Sequence, residues 1–257
     1  MLRLPVSGLR VAVRQPAGSD DLLLREKAGS DIEVVLSLIE RVAWAADGTA
    51  IDWGLLTVTD IETLLLRIHQ AVFGDTIRAE ARCADADCGA RVDIAFSAGA
   101  YVAHHAPRPP KGVEPAEREG WFRIVGEPVT FRLPNASDLL AVAGSKRPDG
   151  ECLARCVDAA DVPDRLRKRV ERAMAALAPS LSHEVQGQCP ECHRTMNADF
   201  DVLAYVLREL RDQAESIYRD VHLLAFHYKW PEESILALPR SRRLRYARML
   251  MQEERLA

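Results

Sequence analysis

The longest uninterrupted apolar pattern lies in the last quarter of the chain. Leu203, Leu207, Leu210, Ala214, Ile217, Val221, Leu224 and Tyr228 stand alternately four and three apart, with no Gly or Pro between them. That spacing holds one seam on one face and predicts a single helix of about 27 residues beginning near Asp201. Helical spacing also marks residues 30–45, where Ile32, Val35, Leu36, Ile39 and Val42 share a side, and residues 59–73 and 163–177. Strands are expected at 8–14, 77–82, 91–96, 121–124 and 129–133, the last two joined by a turn through Gly126-Glu127-Pro128. Pro231, followed by Glu232 and Glu233, opens a short helix, and Pro239 opens another.

Two parts of this pattern occur twice. Val13-Arg14-Gln15-Pro16-Ala17-Gly18-Ser19-Asp20 matches Phe131-Arg132-Leu133-Pro134-Asn135-Ala136-Ser137-Asp138, and Leu22 matches Leu140. Both read as a strand that stops at a proline turn and hands over to a capped helix. Further on, Cys88, Phe96 and Ala100-Tyr101-Val102 align with Cys192, Phe200 and Ala204-Tyr205-Val206 at a constant offset of 104. Two matches in the same order point to an internal duplication. The expected organisation is a first unit over residues 1–103, a Pro-rich linker over 104–120, a second unit over 121–200, and a helical C-terminal arm over 201–257. Within the linker, His104 and His105 read as linker residues and not as ligands.

The duplicated segments carry the candidate chemistry. Cys83 and Cys88 enclose four residues and are followed by Gly89; Cys189 and Cys192 enclose Pro190 and Glu191 and are followed by His193. Each pair falls between the two strands of a hairpin. Two thiolates on such a turn form a zinc knuckle, and the residue after the second cysteine tends toward positive φ, which suits Gly89 and is tolerated by His193. Cys83, Cys88, Cys189 and Cys192 together make four ligands for one structural Zn2+, a closed tetrahedral site with no position left for substrate. Cys152 and Cys156 stand four apart on a helix face and read as core residues, with replacement of the first pair as the alternative. Asp85 and Asp87 read as solvated turn residues.

Composition narrows the function classes. The chain has 257 residues, 48% hydrophobic and 28% charged, with a net charge of -4, so a sizeable core is expected and a general nucleic-acid or polybasic membrane binder is not. The first residues form no signal peptide, and no apolar run approaches the roughly 20 residues of a membrane span; the expectation is a cytoplasmic protein. Six cysteines in that setting favour metal binding or free thiols over disulfides. His183-Glu184 and the cysteine pair that follows do not have the deaminase arrangement, and the metalloprotease, hydrolase-elbow and P-loop motifs are missing. A non-enzymatic protein is expected.

Past the long seam the chain reads Val221-His222-Leu223-Leu224-Ala225-Phe226-His227-Tyr228-Lys229-Trp230, then Ile235-Leu236-Ala237-Leu238-Pro239 and Arg242-Arg243-Leu244-Arg245-Tyr246. This resembles tails of small proteins encoded in phage-tail and contractile-injection gene clusters. Together with the two knuckles it resembles the T4-like bacteriophage baseplate protein family. His193 departs from the usual knuckle glycine, and the N-terminal third matches in general shape alone. The resemblance implies a structural or assembly component of the baseplate of a contractile phage-tail-like injection particle. It implies other baseplate or hub proteins as partners and no catalytic residues, with residence in the cytoplasm or in the finished particle. The alternative is a cytoplasmic zinc-stabilised adaptor or regulator. Trp230, Arg240, Arg242 and Arg243 are the candidate partner-binding residues, because Trp and Arg are enriched at interface hot spots. The fold expected is α+β: two related units joined by the zinc-knuckle site, with the helical arm.

Overall fold

The chain opens with a small antiparallel sheet, β1 (Leu2–Arg3), β2 (Arg10–Val13) and β3 (Ala43–Ala45), with β2 in the middle. Between β2 and β3 lie α1 (Gly18–Glu26) and α2 (Asp31–Val42). In α2 the helix start is a capping box: Glu33 accepts the Ser30 N–H and hydroxyl at 2.6 and 2.9 Å. The predicted helix over 30–45 ends early, because its last residues, Ala43–Ala45, pair with β2 as β3. These features belong to a computed structural model, which describes residues 1–159 and 162–256, the side chains of 253–256 excepted.

At the centre lies α3 (Val58–Phe73), opened by the Thr57 hydroxyl and closed at Gly74, where φ is 86°. Ile61, Leu64, Leu65 and Ile68 are fully buried, and so are Asp60, Glu62 and Thr63 on its other sides. A helix buried all round must satisfy its polar groups internally. Asp60 does so by accepting the N–H groups of Val6 and Ser7 at 3.0 and 2.9 Å. Glu62 accepts the Leu181 N–H at 2.7 Å and the Ser182 hydroxyl at 2.6 Å. The hairpin β4 (Thr76–Arg82) and β5 (Arg91–Ser97) follows, and then α4 (Ala98–His104).

β6 (Val113–Pro115), β7 (Trp121–Ile124) and β8 (Thr130–Arg132) form an antiparallel sheet in that order, followed by α5 (Ala136–Val142), α6 (Pro148–Cys156) and α7 (Asp164–Leu177). The stretch read as a linker thus supplies β6, and the Arg108 N–H bonds the Ala176 carbonyl at 2.8 Å. A compact core of Ile124, Val129, Phe131, Val170 and Met174 includes Cys156, fully buried as expected of a core cysteine. A second hairpin, β9 (His183–Gln188) and β10 (Thr195–Phe200), precedes α8 (Val202–Ala214), α9 (Ile217–Tyr228), α10 (Glu232–Leu236) and α11 (Arg240–Leu256). The chain is a mixed α and β protein with small antiparallel sheets.

The short repeated motif is a clamp in both places. Arg14 donates to Asp20 through both terminal nitrogens and to the Gln15 carbonyl, while the Ala17 N–H bonds Asp20. Arg132 does the same with Asp138 and the Leu133 carbonyl, and the Asn135 N–H bonds Asp138. Both carboxylates are buried. Each fixes the angle at which a strand hands over to α1 or α5, which is why Arg, Pro and Asp recur at the same spacing.

The C-terminal quarter departs from expectation. The predicted long helix is two helices, α8 and α9, separated at Glu215 and Ser216 without Gly or Pro. The seam is still used, but by two different cores. Leu207, Leu210 and Ala214 pack in the main core with α3, whereas Leu224 packs with Ile235 and Leu250 in a separate small one. One straight helix cannot face both, and the break re-aims the second half.

Of the expected partner-binding residues, Arg240 and Arg243 are not on the surface. They are 6% and 0% exposed. Both donate to Asp21, and Arg243 also donates to Asp220 at 3.2 Å. Charges this deep must be paired, and these four residues lock the arm to α1. Trp230 is half-buried, its ring packed against Tyr228 and Tyr246 at centroid distances of 5.0 and 5.3 Å. Arg242 alone of the four is exposed.

The Arg132–Asp138 clamp sets an acid limit on stability. Burial works to raise the Asp138 pKa, but hydrogen bonds from Arg132, the Asn135 N–H and Arg155 outweigh it and bring it from 3.8 to about 2. The stability this carboxylate contributes is complete above about pH 4 and is lost as pH falls toward 2. Asp138→Asn is expected to cost about 2–4 kcal/mol at pH 7 and to flatten this acid limb. Urea midpoints measured across pH 2–6 for both proteins check it.

Candidate metal centre

The two hairpins bring their tips together. The Cys83 Sγ lies 3.7 Å from the Cys192 Sγ, and the Cys88 Sγ lies 3.8 Å from the Cys189 Sγ. All four sulfurs are within 4.8 Å of one another, the one such group of potential ligands among the described residues. These are contact distances and not disulfides; all six cysteines are free. A tetrahedral cation with metal–sulfur bonds of about 2.3 Å sets its sulfurs about 3.8 Å apart. The four thiols are thus spaced to hold one metal ion. Cys152 and Cys156 lie elsewhere, on α6, and take no part.

Local backbone chemistry explains how each tip is made. The Cys83 N–H bonds the Ala90 carbonyl at 2.8 Å, and the Gly89 N–H bonds the Asp85 carbonyl at 2.9 Å. In the second tip the Cys189 N–H bonds the Arg194 carbonyl at 3.0 Å, and the His193 N–H bonds the Cys189 carbonyl at 2.9 Å. Gly89 and His193 both take positive φ, 54° and 59°, as the residue after the second cysteine was expected to do. Val92 and Met196 cover the sulfurs from the strand side, so Cys83 and Cys189 are buried.

Electrostatics at the tips are uneven. The Cys189 thiol accepts N–H groups from Cys192 and Glu191, which favour its thiolate against burial and lower its pKa to about 7. Cys88 accepts the Ala90 N–H, but burial and the sulfurs around it outweigh that bond and push it up to about 12. Burial and its neighbours also push the Cys83 thiol up. Four crowded thiols resist losing their protons together, a resistance that a bound cation removes.

Several residues that sequence reasoning passed over hold the tips in register. Asp85, expected as a solvated turn residue, instead pairs across the junction with Arg194 of the other tip, and its side chain is only 9% exposed. At the base of the hairpins Phe96 and Phe200 meet edge to face at 5.3 Å. Tyr101 and Tyr205 flank them, each ring within about 5.5 Å of Phe200. The Tyr101 hydroxyl donates to the Leu181 carbonyl ahead of β9, and the Tyr205 hydroxyl donates to the Arg78 carbonyl in β4, both at 2.8 Å. Each tyrosine thus ties its own hairpin to the backbone of the other. The repeat Ala-Tyr-Val was the available signal, although spacing alone did not give the tyrosines a task.

Glu62 sits behind this layer. Burial raises its pKa, against hydrogen bonds from Ser182, Leu181 and Ser180. Burial and the charge of Glu62 in turn push Tyr101 up to about 12. His105, from the expected linker, packs on Tyr101 and His183 with ring centroids 4.5 Å away in each case. His104 stacks edge-on against His105. These histidines line the base of the hairpins, away from the sulfurs.

Comparison with protein-family models, with curated proteins and with solved structures finds no match to the chain. No helix among the described residues is long and apolar enough to cross a membrane.

His193 gives a test of the tip geometry, since its side chain is exposed and a left-handed backbone is costly for any residue with a Cβ. His193→Gly should be neutral or stabilising by up to about 1 kcal/mol. His193→Val should cost about 1–2 kcal/mol, because β-branching worsens the same conformation. Thermal unfolding of the two variants checks the ordering.

Proposed function

We propose that this chain is a non-enzymatic structural or assembly component of the baseplate of a contractile phage-tail-like injection particle, built on an internal duplication and held by one structural zinc. The observation that carries the reading is the meeting of two hairpin tips at four sulfurs spaced as a tetrahedral cation requires. Four thiolates favour zinc over harder cations, and a site closed by four protein ligands serves structure, with no open position for chemistry. The duplication is supported by three pairs of features that share backbone order: the two Arg–Asp clamps, the two cysteine hairpins, and the helices that follow with Tyr101 and Tyr205. The particle itself is supported by the likeness of the tail from Val221 to Tyr246 to those of baseplate proteins, and partners are other baseplate or hub proteins.

Two measurements test this. Elemental analysis of the purified chain should give one zinc per chain. Cys189→Ser should lose the metal and lower stability substantially, since the binding free energy of a structural metal is folding free energy. Cys152→Ser should retain the metal. A chain that folds fully with no metal removes the zinc from the reading. Tagged full-length protein from cells assembling such particles should co-purify with baseplate components. Recovery of none of them, with the zinc present, favours the adaptor reading instead.

A further inference from the structure

We propose that Cys152 is a site of oxidation by hydrogen peroxide, with Cys156 as the thiol that resolves it to a disulfide. The two cysteines stand one turn apart on one side of α6. Cys152 is half-buried, so a small oxidant can reach it, whereas Cys156 is fully buried. Neither belongs to the sulfur cluster at the hairpin tips. An accessible thiol beside a protected one is the arrangement of an attacking sulfur and its resolving partner.

The surroundings divide the two roles. Asp138 gathers positive charge here: Arg132 donates to it at 2.5 and 2.7 Å, and Arg155 at 3.0 Å. Its Oδ2 also lies 3.6 Å from the Cys156 sulfur. A hydrogen bond from the Cys156 thiol lowers the Cys152 pKa, and the Arg132 and Arg155 charges add to this against burial and the charge of Asp138. The same bond, with burial, pushes Cys156 up. The Cys152 thiolate attacks a peroxide oxygen: an S–O bond forms, the O–O bond breaks, and the departing hydroxide takes a proton from solvent. Cys156 then attacks the sulfur of the resulting sulfenic acid. The S–S bond forms, the S–O bond breaks, and the Cys156 proton leaves with the hydroxide as water. Two thiols lose two electrons and one peroxide becomes two waters. Cα atoms one helical turn apart are about 6 Å from each other, near the upper end of what a disulfide spans. The bond therefore strains the last turn of α6 and stays easily reduced. Arg155 lies in that turn, its Nε on Asp138 and its carbonyl accepting Arg132 at 3.2 Å. Oxidation thus loosens the Arg132–Asp138 clamp.

The test treats the full chain, purified with zinc present, with a small molar excess of hydrogen peroxide, then caps free thiols and digests with trypsin. Arg155 falls between the two cysteines, so trypsin separates them unless a disulfide joins the peptides. Mass spectrometry should find the joined peptides, and they should part on reduction with a phosphine. Dimedone present during oxidation should label Cys152 and leave Cys156 unlabelled. Oxidation should lower the melting temperature by about 2 °C or more, reversibly, and should leave that of Cys152→Ser unchanged. The proposal is overturned if no joined peptide forms, if dimedone labels Cys156 in place of Cys152, or if Cys152→Ser loses as much stability to peroxide as the parent.

Discussion

Two hairpins, each of only two strands, have to stand in water, and a hairpin alone is marginal there. Along β9 nearly every residue is exposed, and along β4 only Ile77 is buried. Neither strand pair has an apolar face wide enough to hold it. What holds them is contact with each other at two levels, the sulfur cluster at the tips and the Phe96–Phe200 contact at the base. Between those levels the tyrosine hydroxyls and the Asp85–Arg194 pair fix the relative register. If either level is lost, the other must carry strands that have little core of their own.

This dependence explains why the polar groups of α3 are placed as they are. Glu62 binds the backbone at Leu181 and the hydroxyls at Ser180 and Ser182, the residues that lead into β9. Ser182 passes the connection on to the N–H of Val202, where α8 begins. The central helix therefore sets both where the second hairpin leaves the body and where its chain returns. A carboxylate buried this deeply is tolerated because it meets three donors from one short segment. The second tip can then arrive in contact with the first with little freedom left to lose.

Much of the site was legible in the sequence, because its constraints are local. A cysteine pair with a turn between its members, followed by Gly or His, can be read as a knuckle from neighbouring residues alone, and the positive φ at Gly89 and His193 follows from the same geometry. The Arg–Pro–Asp spacing is likewise contained within eight residues. What could not be read depends on partners far away in the chain. Arg240 and Arg243 look like surface charge until Asp21 is placed beside them, more than 200 positions earlier. The break between α8 and α9 has no Gly or Pro to announce it, since it arises from two cores pulling one seam in different directions. Cys156 was legible as core, yet its thiol contact with Asp138 at 3.6 Å was not.

The arm is better understood as part of the body than as an appendage. Its first helix, α8, completes the main core, and its last helices reach α1 through a contact that has a counterpart inside the protein. Asn135, at the start of α5, forms an antiparallel bridge with Thr57, which opens α3; Ala17, at the start of α1, forms one with Pro239, which opens α11. Each clamp helix is thus met at its first residue by the opening of another helix. Gly18 allows the second meeting, because a Cβ there would come within 2.9 Å of the Leu236 backbone. In the first meeting Ala136 holds the corresponding place, its N–H bonded to the Leu56 carbonyl at 3.0 Å. The main core anchors α3, but α9 to α11 have only their own small core and so need the additional hold of Arg240 and Arg243 on Asp21 and Asp220. Pairing two buried guanidinium groups with two carboxylates adds little net stability over an apolar contact. It does make the docking geometry specific, because a misplaced arm would part Asp21 from Arg240 and Arg243 and keep only the Arg243–Asp220 pair, which lies within the arm.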